Sequence, residues 1–251
     1  MVSRKPAYGN ALVRAARNPR FCIRKAFQAG YGNVMKQILC YGDSNTWGLI
    51  AGTNQRYPWG VRWTSILQEK LGQQNARVIE AGLCGRTTVF EDACRPGRNG
   101  LKALPLFLET HAPLDAVVIM LGTNDCKSCY GLNACQITIG MEQCIDMLLT
   151  ALSPGRILLL SPILLGERVW EPEFDPEFSR VSVETARQLS AAYRRLAQAK
   201  GIHMLAASDY AVPSDVDREH MTESGHAALA EAVYRVLSGG MLLSGPQQPQ
   251  K

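Results

Sequence analysis

Two motifs far apart in the sequence carry the residue types needed for nucleophilic catalysis. Residues 42–48 (GDSNTWG) contain Ser44, whose hydroxyl becomes a nucleophile when a neighbouring base accepts its proton. Residues 217–226 (DREHMTESGH) place an acid three residues before His220, so that one turn can bring both side chains to the same side. A neutral histidine can accept the serine proton, and a carboxylate can fix the tautomer of that histidine. The spacing therefore predicts a triad of Ser44, His220 and Asp217.

Two further motifs could stabilise negative charge on a carbonyl oxygen. Residues 80–88 (EAGLCGRTT) contain Gly85, where the missing side chain lets a backbone N–H approach a substrate closely. Residues 122–125 (GTND) contain Asn124, whose side-chain amide is a hydrogen-bond donor. Together with the N–H of Ser44, these groups would form an oxyanion hole. Taken singly, each motif is also typical of an ordinary turn.

The acid and the base each have rivals within the last motif. Three carboxylates, those of Asp215, Asp217 and Glu219, lie close together, and the choice of Asp217 rests on its spacing from His220. His226 is the main rival to His220 as the base, although its position in the first turn of the last predicted helix favours a packing or hydrogen-bonding role. The G-x-S-x-G turn of α/β-hydrolases is absent from the sequence.

The elements that must position these residues follow an alternating pattern of short apolar runs and longer helical stretches. This pattern predicts an α/β fold, a three-layer α/β/α sandwich with a five-stranded parallel sheet. The run 117–121 is apolar at every position, which favours a central strand covered on both faces. Thr222 is a suitable cap for the last helix. The predicted strands are 37–41, 77–80, 116–121, 156–161 and 203–205, and the predicted helices are 62–71, 101–110, 137–152, 183–199 and 223–237.

The first three motifs each follow a predicted strand, and the fourth precedes the last helix. Ligands of such sheets bind at the carboxyl ends of the strands, near the point where the winding direction changes. We therefore expect Ser44, Gly85 and Asn124 to meet at one edge of the sheet.

Length and charge indicate one folded domain with a basic extension. The 251 residues suit a single domain. Residues 1–34 hold seven basic and no acidic residues, which predicts a disordered or loosely helical extension, or else a targeting or anionic-surface segment. The domain is expected at 35–240 and a tail at 241–251. The rest of the chain has 20 basic and 22 acidic residues and no apolar run of membrane-spanning length, so neither a nucleic acid nor a membrane is an expected partner.

The eight cysteines are interpreted as free thiols in a reducing, cytoplasmic environment, because the chain is large and no secretory apolar segment precedes the domain. Cys126 and Cys129 have C-x-x-C spacing, but the sequence has no second such pair and no nearby histidine. We therefore expect no metal and no cofactor.

In combination and order, the four motifs resemble the SGNH (GDSL-like) hydrolase superfamily through GDS, an isolated glycine, GTND and D-x-x-H, over residues 36–238. The segments LCYGDSNTWG, VRWTSILQEKLG, GLCGRTT and IMLGTNDCK look most like a bacterial arylesterase/acyltransferase subgroup. The resemblance implies a flavodoxin-like fold and a metal-free serine esterase with Ser44, Asp217 and His220 as catalytic residues. Asn45 and Leu49 differ from residues common in the subgroup, and these differences concern acyl transfer, not hydrolysis.

The resemblance further implies a small-molecule ester substrate with a short, acetyl-like acyl group, an acyl-serine intermediate, possible transfer to alcohols, and assembly into a homo-oligomer. The apolar segment 162–181 is expected to contribute to the acyl pocket. Two alternatives stay open, a carbohydrate O-acetylesterase with the same chemistry and a non-catalytic small-ligand binding module. The expected substrate-binding residues are Asp43, Trp47, Ile163 and Trp170.

Overall fold

A computed structural model describes residues 35–241, and the predictions for residues 1–34 and 242–251 lie outside these described residues. A single sheet of five parallel strands organises this part of the chain. All five predicted strands are confirmed, with ends that differ from the predicted ones by at most two residues. The strands are β1 (Lys36–Gly42), β2 (Ala76–Gly82), β3 (Ala116–Met120), β4 (Ile157–Ser161) and β5 (His203–Ala206).

The strand order is β2-β1-β3-β4-β5, the flavodoxin-like order. The chain winds in one direction from β1 to β2 and in the other from β3 onward, so the winding changes between β1 and β3. In such sheets this point opens a crevice at the carboxyl ends of the strands. The apolar strand β3 lies at the centre of the sheet, and all five of its residues are buried, as the sequence predicts.

Between residues 35 and 241, six α-helices flank the sheet, and the five longer ones confirm the sequence prediction. Ser179 caps the fifth helix by accepting a hydrogen bond from the Ser182 N–H, and Thr222 caps the sixth by accepting one from Gly225. The first helix has only four residues, too few for an apolar period to reveal it. The helices are α1 (Ser44–Trp47), α2 (Trp63–Leu71), α3 (Gly100–Thr110), α4 (Ala134–Leu149), α5 (Arg180–Lys200) and α6 (Glu223–Val236).

Two hydrophobic clusters lie on opposite faces of the sheet. Because side chains alternate along a strand, β1 directs Leu39 and Tyr41 to one face and Ile38 and Cys40 to the other. Helices α3, α4 and α5 pack on the first face, and α2 and α6 pack on the second. The predicted three-layer α/β/α sandwich is thus confirmed, and it presents the carboxyl edge of the sheet to loops from several strands.

None of the helices between residues 35 and 241 combines the length and the apolar character needed to cross a bilayer. Over the same range, no three metal-ligand side chains are grouped closely enough to hold a metal ion. The cysteines of this range are unpaired. Of the C-x-x-C pair, Cys126 is buried with its Sγ 3.3 Å from the Gly122 carbonyl oxygen, whereas Cys129 is exposed.

Candidate active site

The turn after β1 holds Ser44 at the start of α1. The Asp43 side chain caps this short helix, because its Oδ1 accepts a hydrogen bond from the Asn45 N–H at 3.0 Å. Helix α1 packs directly against the end of β2, where a Cβ added at Gly82 would lie 2.1 Å from the Trp47 nitrogen. Since the first N–H groups of a helix have no intrahelical acceptor, the Ser44 N–H is a donor at the carboxyl edge of the sheet.

The structure brings the three predicted triad residues into one hydrogen-bonded chain. His220 Nε2 lies 2.9 Å from Ser44 Oγ, and His220 Nδ1 lies 2.8 Å from Asp217 Oδ2. Ser44 and His220 are only 4% and 6% exposed, so these bonds lie largely out of water. Of the rival acids, Asp215 is exposed and the Glu219 carboxylate lies 3.9 Å from His220 Nδ1, beyond hydrogen-bond distance, so the geometry supports Asp217.

Burial and nearby charges shift the pKa values of His220 and Asp217 in opposite directions. Burial lowers the pKa of His220, but the Glu219 charge and the Asp217 hydrogen bond and charge outweigh it and raise that pKa to about 9. Burial raises the pKa of Asp217, but the hydrogen bond from His220 and its charge hold it below the ordinary value. The carboxylate therefore stays ionised and orients the imidazole through Nδ1.

The two remaining oxyanion candidates follow the strands on either side of β1. Gly85 follows β2 and has φ +81°, a left-handed conformation that other residues rarely adopt. A Cβ there would also lie 2.9 Å from the Arg95 guanidinium. Asn124 begins the short turn Asn124–Cys126 after β3 and donates one Nδ2 hydrogen to the Arg86 carbonyl at 3.1 Å. An amide carries two such hydrogens, so the second can bind a substrate oxygen.

Arg86 is a buried cation that the sequence analysis did not single out. Only 3% of it is exposed, and its Nη1 donates to the carbonyls of Gly42, at 2.8 Å, and Ala81. Its own carbonyl accepts the hydrogen bond from Asn124. Arg86 thus links the ends of β1 and β2 to the Asn124 turn. Its position directly after Gly85 could have pointed to a role in the site. Arginine is rarely buried, however, and the sequence does not show this burial.

Asn45 fixes the loop that carries His220. Its Nδ2 donates to the carbonyl of Glu219 at 3.3 Å, and its Oδ1 accepts from the N–H of Met221 at 2.9 Å. These two bonds hold the residues immediately before and after His220 against the turn that contains Ser44. The sequence marked Asn45 as a departure from the resembling subgroup, but it gave no sign of this connection.

His226, the rival base, has a different environment from His220. It is fully buried, and its Nδ1 accepts a hydrogen bond from the Trp63 N–H at 3.3 Å at the start of α2. Burial, together with the charges of His220 and Arg62, lowers the pKa of His226 to about 4. This arrangement joins α6 to α2 and keeps the imidazole neutral, as expected for the packing role.

The structure places the four expected substrate-binding side chains in different environments. Asp43 and Ile163 are buried, the first as the cap of α1 and the second in the core cluster behind α2 and α6. Trp47 is half-buried beneath the Arg56 guanidinium, at 5.4 Å. Trp170 borders a surface groove of about 500 Å³ formed with the start of α5, and no triad residue lines that groove. For Asp43 and Ile163 the structure shows contacts within the protein, and substrate binding by all four residues stays a prediction.

Comparison with known proteins shows which proteins this chain is similar to. A model of the GDSL-like lipase/acylhydrolase family matches residues 40–228, a range that contains every triad and oxyanion candidate. The structure of the M. smegmatis aryl esterase is 33% identical, with a TM-score of 0.75, and the match covers 81% of this chain and 99% of that one. The carbohydrate acetylesterase Est24 from Sinorhizobium meliloti is 31% identical over 81% of this chain and 99% of its own, with a TM-score of 0.74. No curated protein sequence matches the chain significantly.

Proposed function

From its membership of the GDSL-like lipase/acylhydrolase family of SGNH hydrolases, to which the chain belongs, we propose a specific reaction for this carboxylic ester hydrolase. It cleaves short-chain acyl esters through an acyl-serine intermediate on Ser44. The observation that carries the proposal is the hydrogen-bonded chain from Ser44 Oγ through His220 to Asp217. A serine held by a base that is itself oriented by a carboxylate is the arrangement that acyl transfer requires.

In the proposed reaction, Ser44 Oγ attacks the ester carbonyl carbon while His220 Nε2 accepts the hydroxyl proton. The carbonyl oxygen becomes an oxyanion and accepts hydrogen bonds from the N–H groups of Ser44 and Gly85 and from the Asn124 amide. His220 then gives its proton to the departing alcohol, which leaves the acyl group on Ser44. A water molecule, or a second alcohol, repeats the attack with His220 again as base and frees the acyl group. Transfer to an alcohol is therefore a second outcome of the same intermediate.

Replacing Asn124 with alanine is expected to lower kcat for p-nitrophenyl acetate by about 10² to 10³-fold, because one oxyanion donor is lost. The measurement is steady-state hydrolysis, with folding checked by circular dichroism. Asn75→Ala is a matched control, since it removes an exposed amide that donates to the Leu71 carbonyl at the end of α2. Near-normal turnover in folded Asn124→Ala would refute the oxyanion assignment.

The acyl group is expected to be short. Ser44 and His220 are both largely buried, and on this ground we propose that the space beside the nucleophile suits a short acyl group better than a long one. We expect kcat/KM for p-nitrophenyl acetate to exceed that for the octanoate by at least about tenfold, since a tight pocket discriminates by this order for a few methylene groups. Assays of the acetate, butyrate and octanoate esters test this. Faster turnover of the octanoate would contradict the proposal.

A carbohydrate O-acetylesterase is the second candidate, favoured by the similarity to two structures from Sinorhizobium meliloti. Besides Est24, a carbohydrate acetylesterase family member is 33% identical over 83% of this chain, with a TM-score of 0.74. Acetylated xylosides belong in the same substrate panel, with acetate release as the readout. Faster release from xylosides than from aryl acetates would favour this candidate, and the opposite order would favour an aryl or alkyl ester.

A further inference from the structure

The imidazole of His220 faces two carboxylates on its Nδ1 side. Asp217 Oδ2 lies 2.8 Å from Nδ1, and Glu219 Oε2 lies 3.9 Å from the same atom. Both acidic side chains are largely shielded, with exposed fractions of 14% for Asp217 and 8% for Glu219. The triad described above accounts for Asp217 but not for the second carboxylate.

The backbone of Glu219 is held firmly, whereas its carboxylate has no direct hydrogen-bond donor among the described residues. Its N–H donates to Asp217 Oδ1 at 3.0 Å, and its carbonyl accepts from Asn45 at 3.3 Å. A shielded carboxylate without a donor is costly to leave in the charged form unless a cation compensates. His220, whose Nδ1 lies 3.9 Å away, supplies the larger part of this compensation through space, and Lys127 adds a smaller part.

We propose that Glu219 is a positioning residue for the reaction proposed above, because its carboxylate stabilises the charged form of His220 through space and thereby sets the pH range in which Ser44 is activated. This inference rests on the proposed function, since it concerns the ionisation of the same base. Asp217 orients the imidazole through a direct hydrogen bond, whereas Glu219 acts by charge alone at a longer distance.

The charged groups around His220 and Glu219 favour the protonated form of His220. His220 experiences the charges of Glu219, Asp217 and Asp43, which all raise its pKa. Burial raises the pKa of Glu219 to about 7, and the charges of Asp175 and Asp217 act in the same direction, while His220 and Lys127 oppose it. Lys127 itself forms an ion pair with Glu177.

The sign of the expected effect follows from the role of His220 as a base. A general base acts in its neutral form, so activity rises with pH through the pKa of His220. Glu219→Gln removes a negative charge and keeps the side-chain shape. The pKa of His220 therefore falls, and the acid limb of the pH–activity profile moves to lower pH. The same change makes His220 a weaker base and leaves its charged form less stabilised in the transition state. The rate on the alkaline plateau should therefore fall severalfold.

The test compares the wild type with Glu219→Gln and Glu223→Gln across about pH 5.5 to 10. Glu223 lies three residues beyond His220 and is exposed, so its replacement removes one charge from the same region without altering the pair. Two readouts are used, kcat/KM for p-nitrophenyl acetate and the rate of labelling by a fluorophosphonate probe. The acid limb is expected to shift down by about 1 to 2 pH units in Glu219→Gln, and by much less in Glu223→Gln.

The outcomes separate this inference from the proposed function. If the acid limb of Glu219→Gln coincides with that of the wild type, the inference is overturned. If the wild type neither hydrolyses p-nitrophenyl acetate nor reacts with the fluorophosphonate probe at any pH, the proposed function is overturned, and the inference with it. A uniform loss at all pH values without a shift identifies a purely structural residue and also overturns it. Should Glu219→Gln fail to fold, the wild type decides, because a limb centred at or below about pH 6.5, the ordinary histidine value, contradicts a stabilised imidazolium.

Discussion

The Ser44→Ala variant is expected to lose p-nitrophenyl acetate hydrolysis by about 10⁴ to 10⁶-fold in kcat while keeping its fold, since removal of a triad nucleophile has effects of this order. The physical reason is that Ser44 Oγ is the hydroxyl placed 2.9 Å from His220 Nε2, so the base has no other serine to activate at this position. Binding and the oxyanion donors would still give a small residual rate.

The measurement uses wild type and Ser44→Ala at matched concentration, with circular dichroism and thermal unfolding as folding checks. Ser153→Ala is a suitable control, because Ser153 is exposed and its side chain forms no cap hydrogen bond. Activity that is equal in wild type and Ser44→Ala would overturn the nucleophile assignment. Absence of activity in the wild type and both variants would point to a narrowly selective esterase or to a binding role.

Most of the fold could be predicted because its determinants are local in sequence. The alternating apolar runs marked all five strands and the five longer helices, and the uniformly apolar run at β3 marked the centre of the sheet. Parallel strands place their carboxyl ends along one edge, and this placed Ser44, Gly85 and Asn124 near one another. The expected homo-oligomer is not addressed by a single chain and stays a prediction.

The less predictable parts of the site depend on contacts between distant segments. Asn45 bonds the loop around His220 across more than 170 residues of sequence, and Arg86 is buried against carbonyls of two different strands. Glu219 was noted only as a rival acid, because spacing alone does not show its distance from the His220 ring. Ile163 was expected to line the acyl pocket because it is apolar and lies in a loop, and the packing of its side chain in the core cluster could not be read from its position in the sequence.

Asp217→Asn is the second substitution with a large expected effect, because every contact of this carboxylate requires an acceptor. Oδ1 accepts from the N–H groups of Glu219 and His220, each at 3.0 Å. Oδ2 accepts from the Gly52 N–H at 3.0 Å and faces His220 Nδ1 at 2.8 Å. An asparagine has one oxygen and one NH₂ group. In either orientation, its NH₂ group would face two nitrogen atoms whose hydrogen bonds need an acceptor.

If the asparagine oxygen keeps the Oδ1 contacts, its NH₂ group faces Nδ1 and favours the tautomer with the proton on Nε2. That nitrogen then no longer accepts a proton from Ser44, and kcat should fall by about 10⁴-fold, the effect of the corresponding change in other triads. Retention of more than about a tenth of the wild-type rate would show that Asp217 is not the orienting acid and would make Glu219 the candidate.

Thermal unfolding adds an independent prediction for the same variant, because the lost Gly52 contact should lower stability by about 1 kcal/mol. The pKa of Asp217 lies below its ordinary value in the folded protein, so its ionised form contributes stability above the unfolded pKa of about 3.9. This contribution disappears as the pH falls through the folded-state pKa. The difference in Tm between wild type and Asp217→Asn should therefore be largest near neutral pH and shrink on acidification. A difference in Tm that stays constant down to low pH would instead assign the loss of stability to altered packing, since a packing defect does not depend on the charge of the carboxylate.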